Sequence, residues 1–181
     1  LKRLTGYNAS MLSKLFSYNI SLYAAHLPLD ANPKIGHNIL IAKMLSLKNI
    51  AKFAKYAGYE IGFMGTAPKG ATTAKFAEIL KRNLGSSSIR VIGDAEKEIH
   101  RCGIVSGGGA DCIQDALDNG LDCFVTGEIG HSNYHIIKDS GIRVIVAGHY
   151  CTEKPGIFAV MKEIQKKFKI ECEFIDIPTG M

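Results

Sequence analysis

Residues 99–147 read IHRCGIVSGGGADCIQDALDNGLDCFVTGEIGHSNYHIIKDSGIRVIVA, and this stretch decides the fold class. Short apolar runs alternate in it with longer segments of helical character. The pattern predicts strands at 99–106, 122–126 and 143–147 and helices at 108–119 and 131–139. Strands that are apolar throughout and joined by helices are typical of parallel sheets buried on both faces. We therefore predict an α/β fold with a mostly parallel sheet and flanking helices.

The segments on either side continue the alternation. Upstream, Thr72 and Thr73 lead into a helix that stops at Gly85, and a strand is predicted at 89–92. Downstream, a helix is predicted at 152–168 and a closing strand at 170–177.

The first third of the chain is less regular. A short helix is predicted to end at Phe16, and ISLYAA at 20–25 is a compact strand candidate. Asn32 before Pro33 predicts a helix at 32–45, because Asn caps helices and Pro is tolerated in the first turn. Residues 50–69 are ambiguous, since AKFAKYAGY fits a helix and YEIGFMGTAP fits a strand that enters a turn.

Composition indicates a globular domain of a reducing compartment. Of the 181 residues, 46% are hydrophobic and 22% are charged. No apolar run approaches the roughly 20 residues of a membrane span. The five cysteines are scattered and never spaced as CxxC, which indicates buried thiols, and the N-terminus does not resemble a signal peptide. We expect a soluble, cytoplasmic protein.

The net charge of +5 does not by itself indicate a nucleic-acid partner. Basic residues are spread along the chain, and the densest group lies near a helix end, where cations suit the helix dipole. This group is Lys162, Lys166, Lys167 and Lys169. Because no nucleic-acid-reading motif accompanies the charge, we do not expect nucleic acid as a partner.

Two loops after predicted strands carry pairs of potential metal ligands, and ligands of open α/β sheets bind beyond strand ends. His26 and Asp30 follow the strand at 20–25, and His149 and Glu153 follow the strand at 143–147. Imidazole and carboxylate groups at these spacings can converge on a divalent cation. The alternatives are that Asp30 caps a turn while His26 packs, and that Glu153 only complements a helix dipole.

A third loop, after the strand at 122–126, carries Glu128, with His131 and His135 one helical turn apart. A zinc protease would have Glu directly after the first His, but Ser132 stands there. Glu128 and His135 therefore fit better as pocket lining or as partners of metal ligands, and a histidine that is merely satisfied at the surface or in the core is an equal alternative. The glycine run at 106–109 could offer amides to a phosphate, but it fits a tight turn equally well.

Three segments together carry a family resemblance: YAAHLPLDANPKIGHN, SGGGADCIQDALDNGLDCFVTGEIGHSNYH and VIVAGHYCTEKPGI. In this order they resemble the Nif-three-like family, the type 2 homologues of GTP cyclohydrolase I. The resemblance implies two related lobes around a dinuclear metal site, and hexameric rings. The lobes would divide the 1–181 domain into a partial first lobe at about 1–50, a middle segment at 51–105 and a closing lobe at 106–181.

The resemblance also implies a ligand set. By position, the metal ligands are Asp30, His149 and Glu153, whereas the family's paired histidines have no counterpart, as in a member that lacks its first strand and helix. A complete subunit would hold two divalent ions of zinc, iron, manganese, nickel or cobalt, and this chain fewer or none. His26, Glu128 and His135 are the candidates for proton transfer or substrate contact.

The implied activity is that of a metal-dependent hydrolase acting on a nucleotide. Metal-activated water would attack a ring carbon such as C8 of guanine. Two alternatives stay open. One is a phosphatase or nucleotidase that holds phosphate at 106–109, and the other is a non-enzymatic, hexameric assembly or regulatory protein whose metals are structural.

Overall fold

A computed structural model describes residues 3–179, so both ends of the predicted 1–181 domain lie outside the described residues. The helices are α1 Gly6–Ser17, α2 Leu27–Asp30, α3 His37–Met44, α4 Thr73–Leu84, α5 Ile113–Asp118, α6 Tyr134–Ser140, α7 His149–Thr152 and α8 Lys154–Phe168. The strands are β1 Lys48–Tyr56, β2 Tyr59–Thr66, β3 Arg90–Ile92, β4 Arg101–Val105, β5 Cys123–Thr126 and β6 Arg143–Val146. Short 3-10 helices at Gly109–Cys112 and His131–Asn133 precede α5 and α6.

The strands form one sheet in the order β1-β2-β4-β5-β6-β3. The pairings of β4 with β5 and of β5 with β6 are parallel, and their register aligns Val105 with Thr126 and Thr126 with Val146. The other pairings are antiparallel. The predicted α/β fold is confirmed, with parallel pairing confined to the middle of the sheet. The carboxyl ends of β4, β5 and β6 consequently meet at one edge.

Both faces of the central strands are buried, which explains why their sequences are apolar throughout. On β5, Val125 packs in one core cluster with Leu80, whereas its neighbour Phe124 packs in the other with Phe53 and Ile137. This alternation follows the pleat of a strand. The rings of Phe53 and Phe124 meet edge to face, with centroids 6.5 Å apart. Within residues 3–179, no helix has the length and apolar character to cross a membrane.

Side-chain hydrogen bonds to the backbone shape the segments before two helices. The helix after Thr72 is confirmed as α4, because Thr72 Oγ1 accepts a hydrogen bond from Lys75 N–H at 3.3 Å. The start of the helix predicted at 32–45 was wrong, since α3 begins only at His37. Asn32 Oδ1 accepts hydrogen bonds from the backbone N–H groups of Lys34 and Ile35 at 2.9 and 3.1 Å, and so closes a turn before the helix.

The strands predicted at 20–25 and 170–177 were wrong, because both segments lack regular structure. Most of their large apolar side chains, including Ile20, Leu22 and Ile175, are exposed. A strand requires a neighbour for its backbone hydrogen bonds. No other segment within residues 3–179 pairs with either stretch.

The ambiguous residues 50–69 form most of the β1–β2 hairpin, so the helical interpretation of AKFAKYAGY was wrong. Ala57 and Gly58 make the turn with φ of +47° and +84°. Positive φ at both central residues is the pattern of a tight two-residue hairpin turn. The helix predicted at 152–168 is divided at Glu153 into α7 and α8. The division into lobes stays a prediction.

Candidate functional site

Three loops meet at the carboxyl edge of the parallel strands. The loops that follow β4, β5 and β6 begin at residues 106, 127 and 147. The backbone N–H groups of Gly127 and Glu128 both donate to the Gly107 carbonyl at 3.0 Å, and Gly148 N–H donates to the Gly127 carbonyl at 2.9 Å. Because each loop is hydrogen-bonded to its neighbour, the loops hold one another in place.

Gly107 lies against the side chains of Glu153 and His149. Its N–H donates to Thr152 Oγ1 at 2.9 Å, and the Thr152 hydroxyl in turn donates to the His149 carbonyl at 2.9 Å. Gly107 has a φ of +60°, and a Cβ there would overlap Glu153 Oε1 and lie 2.9 Å from His149 Nε2. Glycine therefore suits this backbone conformation, and a side chain here would displace the Glu153 carboxylate or the His149 ring.

Asp30 reaches the same edge from the end of α2. Its side chain is buried, and its Oδ1 accepts a hydrogen bond from Ser106 Oγ at 3.3 Å. Burial raises the pKa of Asp30 to about 6, and the negative charge of Glu153 adds to the shift, while His26, Ser106 and His149 oppose it. The charged form of Asp30 is thus poorly stabilised by its surroundings, and a cation beside it would stabilise it.

His149 lies between two carboxylates. Its Nδ1 is 3.2 Å from Glu128 Oε1, and its Nε2 is 3.3 Å from Glu153 Oε1. A neutral imidazole carries a proton on only one nitrogen, so it can satisfy only one of these carboxylates. The other nitrogen then faces a lone pair of a carboxylate oxygen, and a second proton or a cation between that nitrogen and that oxygen would remove the repulsion.

The described side chains fit a divalent metal ion, although they do not yet enclose one. Within residues 3–179, no three His, Cys, Asp or Glu side chains converge closely enough to hold an ion as they stand. However, Asp30 and Glu153 supply oxygen donors and His149 a nitrogen donor, a set that divalent ions accept. A bound cation would also offset the electrostatic repulsion between the carboxylates of Asp30 and Glu153. An ion here would need ligands beyond these three.

A cleft of about 240 Å³ opens at this edge, and it contains most of the predicted site residues. Asp30, His149, Glu153 and His26 line it. Glu128 contacts the His149 ring from outside this lining. His135 is not brought to the cleft, because it lies exposed on α6 with its ring against the edge of Tyr134, the centroids being 5.4 Å apart.

Sequence reasoning did not single out Asn38, which is fully buried beneath the site. Its Nδ2 donates to the Ile61 carbonyl at 2.8 Å, and its Oδ1 accepts from Ser106 N–H at 2.7 Å. Asn38 therefore ties the end of β4 to the hairpin. The available signal was an amide opening the apolar run ILIA, since buried polar groups require partners.

His37, next to Asn38, is a second residue that sequence reasoning missed. Its Nδ1 accepts a hydrogen bond from Gly156 N–H at 3.1 Å, which joins α3 to the first turn of α8. Burial lowers the pKa of His37 to about 4, and the charge of His26 contributes to the shift. The ring is therefore neutral at physiological pH, with its proton on Nε2.

Comparison with known sequences gives consistent matches. Residues 1–180 match the family described as Duf34/NIF3 (NGG1p interacting factor 3). A GTP cyclohydrolase 1 type 2 homolog of Pyrococcus abyssi is 38% identical over 176 residues, which cover 97% of this chain and 70% of that protein. The protein of the same name from Deinococcus radiodurans is 38% identical over 178 residues, covering 98% and 67%.

Solved structures share the fold. A protein of Thermus thermophilus has 31% sequence identity and a TM-score of 0.81, with 100% of this chain and 71% of that chain covered. Protein ybgI, described as of unknown function, has 28% identity and a TM-score of 0.88 at the same coverage. A Bacillus cereus protein related to NIF3 has 17% identity and a TM-score of 0.76, with 98% and 80% covered, and shows the fold alone.

Proposed function

Because this chain belongs to the Duf34/NIF3 family, we propose that its cleft binds divalent metal ions, two in a complete subunit, and hydrolyses a small-molecule nucleotide. The observation that carries the proposal is the meeting of Asp30, His149 and Glu153 at one cleft, beside the carboxyl ends of three parallel strands. This edge is where open α/β sheets place their ligands.

Glu128 has a supporting role in this proposal. Its Oε1 lies 3.2 Å from His149 Nδ1, so a proton on Nδ1 would face Glu128 and leave the lone pair of Nε2 for an ion. Metal-binding histidines generally donate their other N–H to such a partner, which fixes the tautomer. Nε2 of His149, with the carboxylates of Glu153 and Asp30, would then hold the ion.

A divalent ion bound there would supply water of lowered pKa, so that hydroxide is available near neutral pH. Ser106 orients Asp30 through its hydroxyl. His26 lines the same cleft and can donate or accept a proton at a substrate atom.

The names of the relatives, GTP cyclohydrolase 1 type 2 homologs, support a guanine nucleotide as the proposed substrate. We propose that water adds at C8 of a guanine ring and that a C8–N bond breaks, with a proton transferred to the departing nitrogen. One contact favours this reaction over phosphate hydrolysis. Gly107 N–H already donates to Thr152, so the glycine loop has one amide fewer for a phosphate.

Metal binding is the first test. We expect the chain to bind Mn²⁺ or Zn²⁺ in isothermal titration calorimetry, and Asp30→Asn or Glu153→Gln to weaken binding by at least about tenfold. Glu163→Gln is the matched control, because Glu163 is exposed on α8, away from the cleft. Equal affinities in the site variants and the control, or no binding by the unmodified chain, would contradict the proposed site.

A nucleotide panel tests the reaction. The metal-loaded protein is incubated with GTP, and ring opening is followed by loss of the purine absorbance while inorganic phosphate is measured in parallel. Ring opening without phosphate supports the proposal. Phosphate without ring opening would instead establish a phosphatase, and no product from any nucleotide would favour the assembly or regulatory alternative.

A further inference from the structure

The tip of the β1–β2 hairpin brings an aromatic ring to the rim of the cleft. Tyr56, the last residue of β1, lines the cleft together with Asp30, His149 and Glu153, yet it is 54% exposed. Its partner across the turn is Tyr59, which is 48% exposed and is not part of the cleft lining. An exposed ring beside a polar site offers a flat surface on which a ligand can stack.

Asp111 supplies a polar group to the same cleft. It lies in the 3-10 helix before α5, and its side chain is exposed. The next residue, Cys112, packs in one apolar cluster with Phe53 and Ile61 of the hairpin. This packing fixes the position of Asp111 relative to the hairpin that carries Tyr56.

The volume of the cleft limits the size of the ligand that it can bind. A volume of about 240 Å³ is below the roughly 300–1,000 Å³ of pockets that enclose drug-sized ligands. Apolar side chains, including Leu27, Ile61 and Val105, form part of the wall. Beyond the proposed metal ligands, a small cleft with apolar walls, one tyrosine ring at the rim and the Asp111 carboxylate suits one planar ring system, with any sugar and phosphate left outside.

We propose that the cleft binds a planar heterocycle, that Tyr56 stacks on its face, and that Asp111 accepts hydrogen bonds from ring N–H groups on its edge. A purine with adjacent N–H donors, such as guanine, has this chemistry. The inference deepens the proposed function by assigning the residues that select the ring. It concerns binding only, so it can be tested with the metal removed.

Tyr56→Trp provides a direct probe, because the chain contains no tryptophan and the introduced indole would be the only one. With a chelator present, we expect guanosine 5′-monophosphate to quench its fluorescence and ribose 5-phosphate to leave it unchanged. Tyr59→Trp is the matched control, since it places the indole across the same turn but outside the cleft. Equal quenching of both variants, or quenching by ribose 5-phosphate, would overturn the assignment of Tyr56.

Calorimetry on the otherwise unmodified chain gives an independent measure. We expect Tyr56→Ala to weaken guanosine monophosphate binding roughly ten- to a hundred-fold, and Tyr56→Phe, which keeps the ring, to retain it. Asp111→Asn should reduce the preference for guanosine over adenosine monophosphate. Unchanged affinity in Tyr56→Ala, or unchanged preference in Asp111→Asn, would refute the corresponding contact.

The outcome separates this inference from the proposed function. If nucleotide binding depends on Tyr56 while Asp30→Asn leaves metal binding unchanged, ring recognition stands and the metal site fails. If metal binding depends on Asp30 and the Tyr56→Trp signal responds to no purine, the metal site stands and ring recognition fails.

Discussion

His37 couples the stability of the fold to pH. Its pKa is about 4 in the folded chain and 6.5 ordinarily, so between these values the unfolded chain binds a proton that the folded chain does not. The free energy of unfolding should therefore fall as pH decreases from 6.5 to 4, by up to about 3 kcal/mol from this residue. His37→Asn retains an acceptor for Gly156 N–H but cannot titrate. We expect urea unfolding of this variant to depend less on pH across that window.

The control for that experiment is His131→Asn, because His131 is exposed. It should keep the pH dependence of the unmodified chain. Identical pH profiles for the two variants would mean that His37 is not the coupled group.

Gly107 should be required for metal binding as well as for folding. Gly107→Ala and Gly70→Ala both place alanine at positive φ, +60° and +72°, at a cost of about 1–2 kcal/mol in unfolding free energy. A Cβ at residue 70 meets nothing within 4 Å, whereas one at residue 107 overlaps Glu153. We expect both variants to lose stability in urea but only Gly107→Ala to lose metal affinity in calorimetry. Equal metal affinities would show that Glu153 does not depend on this glycine.

The sequence indicated several residues of the candidate site, but it did not indicate which residues they contact. His149 and Glu153 could be singled out because they follow the apolar strand β6, whose carboxyl end lies beside that of β5. Asp30 follows no strand and reaches the site from α2, and the family resemblance was what grouped the three residues as metal ligands. Asn38 could not be assigned, because its partners at 61 and 106 are distant in sequence and depend on the tertiary fold. His135 shows the limit of arguments from residue spacing. Its distance of one helical turn from His131 correctly predicted a helix, but it did not predict that His135 lies away from the cleft.

At the scale of elements, we expect that a substitution in the hairpin turn can stabilise the fold. Ala57 has a φ of +47°, which is unfavourable for alanine, whereas Asn tolerates it and Asn-Gly is the preferred pair for such turns. We expect Ala57→Asn to raise the unfolding free energy by about 0.5–1 kcal/mol in urea. Ala24→Asn, also at an exposed position, should bring no gain. A loss of stability in Ala57→Asn would contradict this account of the turn.

Elements were predictable where burial and local signals agreed. The strand at 122–126 was confirmed as β5, because its apolar side chains are buried on both faces. The segment at 20–25 is also mostly apolar, yet it forms no strand. Strand formation needs a pairing partner, which a local pattern cannot supply. The hairpin could not be predicted from the sequence, because Lys and Ala recur in β1 at positions that also suit a helix.

At the scale of the whole molecule, an apolar surface is concentrated near the start of the described chain. Helix α1 has no buried residue, and Tyr7, Phe16 and Tyr23 are 80%, 79% and 89% exposed. Monomeric proteins rarely leave a large contiguous apolar patch in water. The homo-oligomer expected from the family resemblance would cover such a surface, and the hexamer remains the size to test.

We therefore predict that the chain self-associates through α1. Light scattering after size exclusion should give a mass above that of one chain, and the double variant Tyr7→Lys with Phe16→Lys should lower it. Because neither side chain is buried, the thermal midpoint of the variant should not fall except through the lost association. Lys52→Ala with Lys55→Ala, exposed on β1, controls for changes of surface composition. A single-chain mass for the unmodified protein at micromolar concentration would contradict the prediction and leave the exposed face of α1 without a partner among copies of itself.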